Sequence, residues 1–227
     1  MTQSIGFIFM ATRHDRTVPD ARARIEDALA AGVRNIGFKD IGLPAADLKE
    51  LTRAIQAGGA EAFLEVVSLQ AEDELGSARA AVDLGVDWLL GGVRADDVAP
   101  IIAGSGIRYA PFPGRIVGHP SVLEGSIAEI AESARRLTDL EAVAGLDLLA
   151  YRHAGDVPAL MRAVIAAAPK PVIVAGSIDS PERIHTVFDC GAAGFTIGTC
   201  ALDEAFPAPS PGFPAQLKAI QEAVLAA

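Results

Sequence analysis

The chain has 227 residues, 51% of them hydrophobic but only 5% aromatic, with 19 Lys and Arg against 29 Asp and Glu. That length gives one domain, residues 1–227, with an ample core. The formal net charge of -10 argues against nucleic acid or an anionic membrane surface as a partner. An anionic ligand would have to be held locally, by a few Arg, Lys and backbone N–H groups.

Strand-like and helix-like stretches alternate from end to end. Apolar strands are expected near Ile5–Met10, Arg34–Lys39, Ala62–Val67, Asp87–Gly91, Ile107–Ala110, Leu146–Tyr151, Pro171–Ala175 and Gly194–Ile197. Between them lie Ala-rich amphipathic stretches at Pro19–Ala31, Ala45–Ala57, Glu72–Leu84, Asp96–Ala103, Ser126–Leu140, Val157–Ala167 and Pro181–Cys190, with a last helix at Pro214–Ala226. Eight β-then-α repeats predict a single-domain (β/α)8 TIM barrel, with a doubly wound sheet the second choice. Helix signals agree with this phasing. Ser180-Pro181-Glu182 puts an N-cap before a proline, Ser126 and Glu129 have capping-box spacing, and Gly32 and Gly85 stand where left-handed caps end helices.

Two cysteines, Cys190 and Cys200, have neither metal-site spacing nor the density of a disulfide scaffold, and read as small buried thiols. No local His or carboxylate spacing suggests a metal site, and no cofactor is expected. The chain shows no basic-then-apolar leader and no apolar run near 20 residues, so a cytoplasmic protein is expected. The apolar C-terminal helices leave room for a homo-oligomer.

In a barrel, the C-terminal ends of the strands and the loops after them make the site. Two small-residue turns stand there. Pro171-Val-Ile-Val-Ala-Gly-Ser-Ile runs toward a helix at Pro181, and Gly194-Phe-Thr-Ile-Gly-Thr ends the eighth strand. Free N–H groups at such turns suit a dianion, which points to Gly176, Ser177, Gly198 and Thr199 as a phosphate cup.

Lys39, closing the second strand, is the residue that stands out. An inward lysine in a dry mouth is expected to have its pKa lowered by desolvation, giving an amine that can attack a carbonyl. It could equally act as a cation or as half of an ion pair with Glu65, which shares its inward parity on the next strand. Arg152, after the sixth strand, fits a ligand oxygen contact. His14, His119 and His153 are possible acids or bases. Asp147, near the sixth strand's start, reads as structural. The irregular stretch from Ala110 to Gly125 is long enough to suggest a functional loop.

The segment Val172–Leu202 resembles the phosphate-binding half of the ribulose-phosphate-binding type of (β/α)8 barrel. That superfamily includes the sugar-phosphate isomerases of histidine and tryptophan synthesis, ribulose-phosphate epimerase and keto-deoxy-phosphogluconate aldolase. The resemblance implies that Gly176, Ser177, Gly198 and Thr199 bind phosphate. The chain departs from those families elsewhere. Met10 and Ala110-Pro111-Phe112 replace the isomerases' aspartates, the epimerases' metal-binding His and Asp are missing, and Leu148-Leu149-Ala150-Tyr151-Arg152 lacks the aldolase lysine. Gly37-Phe38-Lys39-Asp40 and Ala175-Gly176-Ser177-Ile178 are similar to segments of 4-(hydroxymethyl)-2-furaldehyde-phosphate synthase, whose strand-two lysine works beside a triose-sized phosphate.

The expectation is an enzyme acting on a small phosphorylated carbonyl compound. Aldolase-like lyase chemistry through a Schiff base or enediolate comes first, with Lys39, Glu65 and Arg152 as its working residues. Sugar-phosphate isomerisation by acid–base catalysis is the alternative. A non-catalytic phosphate-ligand sensor and a flavin-phosphate enzyme are the rivals from other classes.

Overall fold

A computed structural model of the chain describes residues 5–227. Eight strands run parallel in the order expected for a barrel: Gly6–Met10, Asn35–Lys39, Glu61–Glu65, Trp88–Leu90, Arg108–Ala110, Leu146–Leu148, Val172–Val174 and Gly194–Ile197. These are called the first to eighth strands below. The eighth pairs with the first, and neighbours follow in sequence around the ring as far as the fifth. Between the fifth and sixth strands a short bridge, Tyr109 with Val143, and a hydrogen bond from the Asp147 N–H to the Pro111 carbonyl bring the edges together. The described residues thus form a single-domain (β/α)8 TIM barrel.

The alternation along each strand sorts side chains to two sides. Phe7, Phe9, Ile36, Phe38 and Leu64 pack outward under the helices. Ile8, Met10, Phe63, Trp88, Leu90 and Ile173 fill the barrel. The rings of Phe63 and Trp88 stack 5.7 Å apart. Gly37 makes this filling possible: a Cβ there would fall 2.3 Å from the Met10 sulfur. Met10 therefore crosses the second strand, and Lys39 stands one pleat above it.

The helices begin and end largely as expected. Ser126 and Glu129 form a reciprocal capping box, Ser180 accepts from the Arg183 amide, and Gly85 closes its helix at φ 73°. Three differences bear on the mouth. The sixth strand stops at Leu148, and Ala150–Arg152 forms a 3-10 turn that carries Arg152 across the opening. The long stretch after the fifth strand is not irregular: Arg115–Val117 and Val122–Glu124 pair as an antiparallel hairpin. A second hairpin, Thr12–Arg13 with Arg16–Thr17, follows the first strand. None of the helices among the described residues is long and apolar enough to cross a membrane.

Candidate active site

A cavity of about 430 Å³ opens at the C-terminal ends of the strands, toward the lower end of the range ligand pockets occupy. Lys39, Glu65, Arg152, Gly176, Ser177, Gly198, Thr199 and His14 all line it. Eight of the residues singled out from the sequence are thus brought together. His119 and His153 do not line it.

Lys39 lies at the floor and is 5% exposed. Its Nζ donates to Asp15 Oδ1 at 2.6 Å and lies 3.5 Å from Glu65 Oε1. The Glu65 contact follows from register, because Lys39 and Glu65 are direct partners across the second and third strands. Asp15 comes from the hairpin instead. Its two tip residues, His14 and Asp15, both have positive φ, 49° and 59°, the requirement of a tight hairpin turn. That strained tip folds Asp15 back over the lysine. Thr17, on the return limb, accepts from the Lys39 amide and donates to the Lys39 carbonyl, fixing the lysine's backbone at both sides.

The expected lowering of the Lys39 pKa is overturned by these neighbours. Burial pushes it down, but the charges of Glu65 and Asp15 and the hydrogen bond to Asp15 push it above its ordinary value. Lys39 is an ammonium ion. Burial also raises Asp15, but Lys39, with Arg152 and His119 behind it, holds that carboxyl below its usual range. The floor is a salt-bridged triad rather than a free amine.

Beneath it sits a group the sequence had made structural. Asp147 is fully buried, and neither carboxylate oxygen has a hydrogen-bond partner among the described residues. Burial above all, and then the charge of Glu65, hold its pKa well above the ordinary carboxylate value. Asp147 therefore holds its proton to higher pH than an exposed carboxyl does. Asp147 thus lies within electrostatic reach of both Glu65 and Lys39.

The opposite wall is made of small residues. Gly176 and Ser177 have consecutive positive φ values of 78° and 57°, and Ser177 is a residue type that adopts this region only when its surroundings force it. Arg183 does the forcing: it donates to the Ser177 carbonyl and pairs with Asp179 at 3.0 Å while lying over the Tyr151 ring. The Ser177 and Ile178 N–H groups have no backbone acceptor among the described residues. Gly198 packs so tightly on the first strand's exit that a Cβ would lie 2.9 Å from the Met10 and Thr12 carbonyls. A four-residue helix, Thr199–Leu202, starts directly after it. Its first-turn N–H groups are not consumed by the helix itself.

Arg152 spans the two walls. Its guanidinium donates to the Ser121 carbonyl on the overhanging hairpin at 3.2 Å, and a Cβ on Gly176 would come within 2.7 Å of its Nε. His153, its neighbour, is held away from the cavity with both ring nitrogens engaged, one with the Gly125 carbonyl and one with the Gly155 amide. His119 stands behind Asp15, 3.8 Å from Oδ2. Arg13 is tied to Asp203 and the Leu202 carbonyl and braces the short helix. Cys200 lines the cavity as a thiol, since burial, then Asp179 and Asp203, push its pKa up to about 11.

Fold and site together define a TIM barrel with a cationic floor, two bracketing carboxylates and small-residue turns at the C-terminal ends of its strands. Neither a family model nor a curated protein sequence matches the chain. Solved structures do. KDPGal aldolase superposes with a TM-score of 0.65 over 99% of this chain and 98% of its own, at 16% identity. The tryptophan synthase alpha chain of Legionella pneumophila subsp. pneumophila gives 0.65 over 98% and 91%, at 17% identity. The N-acetylmannosamine-6-phosphate 2-epimerase of Clostridium perfringens gives 0.64 over 86% of each chain, at 12% identity. At these identities the likeness shows the (β/α)8 barrel fold.

Proposed function

We propose that this protein is an enzyme that binds a small phosphorylated carbonyl compound and enolises it. The observation that carries the reading is the Lys39 ammonium, held between Asp15 and Glu65 at the floor of a cavity whose far wall is two small-residue turns. The neighbouring folds include an epimerase whose name specifies a 6-phosphate sugar and an aldolase, which is consistent with such a ligand.

The phosphate rests against Gly176, Ser177, Gly198 and Thr199, with Arg152 completing its charge. The carbonyl then points to Lys39. Glu65 takes a proton from the carbon beside the carbonyl, the C–H pair forms a C=C bond as the C=O π pair moves to the oxygen, and Lys39 stabilises the resulting oxyanion by charge and hydrogen bond. Returning the proton to the former carbonyl carbon, with the neighbouring hydroxyl's proton passing to the enediolate oxygen, completes an isomerisation; returning it to the opposite face of the original carbon completes an epimerisation. If Glu65 instead takes the proton of a β-hydroxyl, the C–C bond breaks and the same enediolate leaves as the smaller fragment, a lyase reaction.

The imine route is a second reading, favoured by one contact. Asp15 lies 2.6 Å from the ammonium and can accept its proton, so that a bound carbonyl meets a neutral amine. The non-catalytic sensor has no comparable contact that favours it.

The test is solvent deuterium exchange. Triose to pentose phosphates incubated with the protein in D2O are expected to exchange the hydrogen beside the carbonyl, and Lys39→Met and Glu65→Gln to abolish it. Binding without exchange for every compound would leave the sensor as the better account. Borohydride trapping read by intact mass separates the imine route: an adduct lost in Lys39→Ala supports it.

A further inference from the structure

We infer that the ligand carries a single anionic group, its phosphate, and is a hydroxycarbonyl phosphate of the ketose type rather than a phosphorylated keto acid. This rests on the phosphate-cup reading above and narrows it. Four carboxylates line the cavity, Asp15, Glu65, Asp179 and Asp203, against two permanent cations, Lys39 and Arg152.

Both cations are already committed. Lys39 faces two carboxylates at 2.6 and 3.5 Å, whose side chains are only 16% and 12% exposed, so water screens the contact little. Arg152 lies against Gly176, on the side of the small-residue turns, where the phosphate uses it. Arg13 and Arg183 are engaged by Asp203 and Asp179. A carboxylate on the ligand at the Lys39 end would therefore meet Asp15 and Glu65 with no uncommitted lining Lys or Arg among the described residues to receive it. Like charges at short range in a dry site weaken binding steeply.

Hydroxyl groups meet the opposite situation. They donate to Asp15 and Glu65, while the carbonyl oxygen accepts from Lys39. The floor is thus complementary to a neutral polyol end.

Calorimetric titration of the whole protein at neutral pH decides this, using a pentulose phosphate, a phosphorylated 2-keto-3-deoxy sugar acid of similar length, and inorganic phosphate. The keto acid is expected to bind at least about tenfold more weakly than the pentulose phosphate. The gap is expected to shrink in Asp15→Asn, which frees Lys39 for the ligand's carboxylate, and in Glu65→Gln. Equal or tighter binding of the keto acid overturns the inference while leaving the phosphate cup standing. Failure of all three probes to bind overturns both. A gap unchanged in both variants also overturns the inference, because the discrimination would then not come from these carboxylates.

Discussion

Asp147→Asn changes the pH dependence of stability in a direction fixed by the structure. In the folded chain Asp147 is fully buried, its carboxyl without a hydrogen-bond partner among the described residues, and its pKa stands well above the ordinary 3.8 because of burial, then Glu65. The unfolded chain exposes the same carboxyl, which ionises at its ordinary value. Above 3.8 the unfolded state has therefore lost a proton that the folded state keeps, and stability falls as pH rises. One such proton gives a slope of up to about 1.4 kcal/mol per pH unit. The slope begins just above 3.8 and ends where the folded carboxyl itself ionises; below 3.8 the group contributes no difference. Asn cannot titrate, so its stability relative to wild type grows across that window by the same slope. A constant offset from burying an amide, about 1–3 kcal/mol if its N–H groups stay unpaired, leaves the slope untouched. Urea unfolding of both proteins at pH values from about 4 to about 7 measures it. Parallel curves would refute the reasoning, since they would mean that Asp147 ionises alike in both states.

Three further outcomes follow from the same geometry. Lys39→Met strands Asp15 and Glu65 in the floor and is expected to cost about 3 kcal/mol in denaturant unfolding. In wild type the raised Lys39 pKa makes its contribution complete below the ordinary 10.5 and lost as pH climbs through the higher folded value. The lowered Asp15 pKa makes its contribution present above 3.8 and lost as pH drops through the lower folded value. Gly176→Ala places a Cβ at φ 78° against the flexible Arg152 side chain; it should cost about 1–2 kcal/mol of stability and weaken phosphate-ligand binding about tenfold or more by calorimetry. Asp156→Ala removes the cap that accepts from the Ala159 amide; it should lower stability by about 1 kcal/mol and leave ligand affinity unchanged, a control for the others.

Much of the fold was legible because each signal was local. The eight apolar runs, the capping spacing at Ser126 and the glycine at position 85 needed no knowledge of distant residues. Parity alone put Lys39 and Glu65 on the inner face, and parallel register then made them partners. The lysine's charge state was not legible, because it depends on Asp15, 24 positions away, on a hairpin whose tip, His14-Asp15, has positive φ without the glycine or asparagine that would announce it. The sixth strand was drawn too long, since Leu149 to Tyr151 continues an apolar run that periodicity cannot divide from the strand before it. That error hid Asp147. In the three-residue strand Leu146–Leu148 it occupies the central position, facing inward, whereas in a longer strand it had stood at the stability end. The bracing of Ser177 by Arg183 left no signal beyond two residues in neighbouring segments.

The central claim is that the floor of this cavity stabilises an enediolate attached to a phosphate. Its most direct test is the affinity of the wild-type protein for a phosphorylated hydroxamate, which imitates the planar enediolate, relative to a ketose phosphate of the same length. The account predicts the hydroxamate to bind at least about a hundredfold more tightly, with that advantage lost in Lys39→Met while the ketose phosphate binds either protein within a few fold. Equal affinities in the wild type would contradict it.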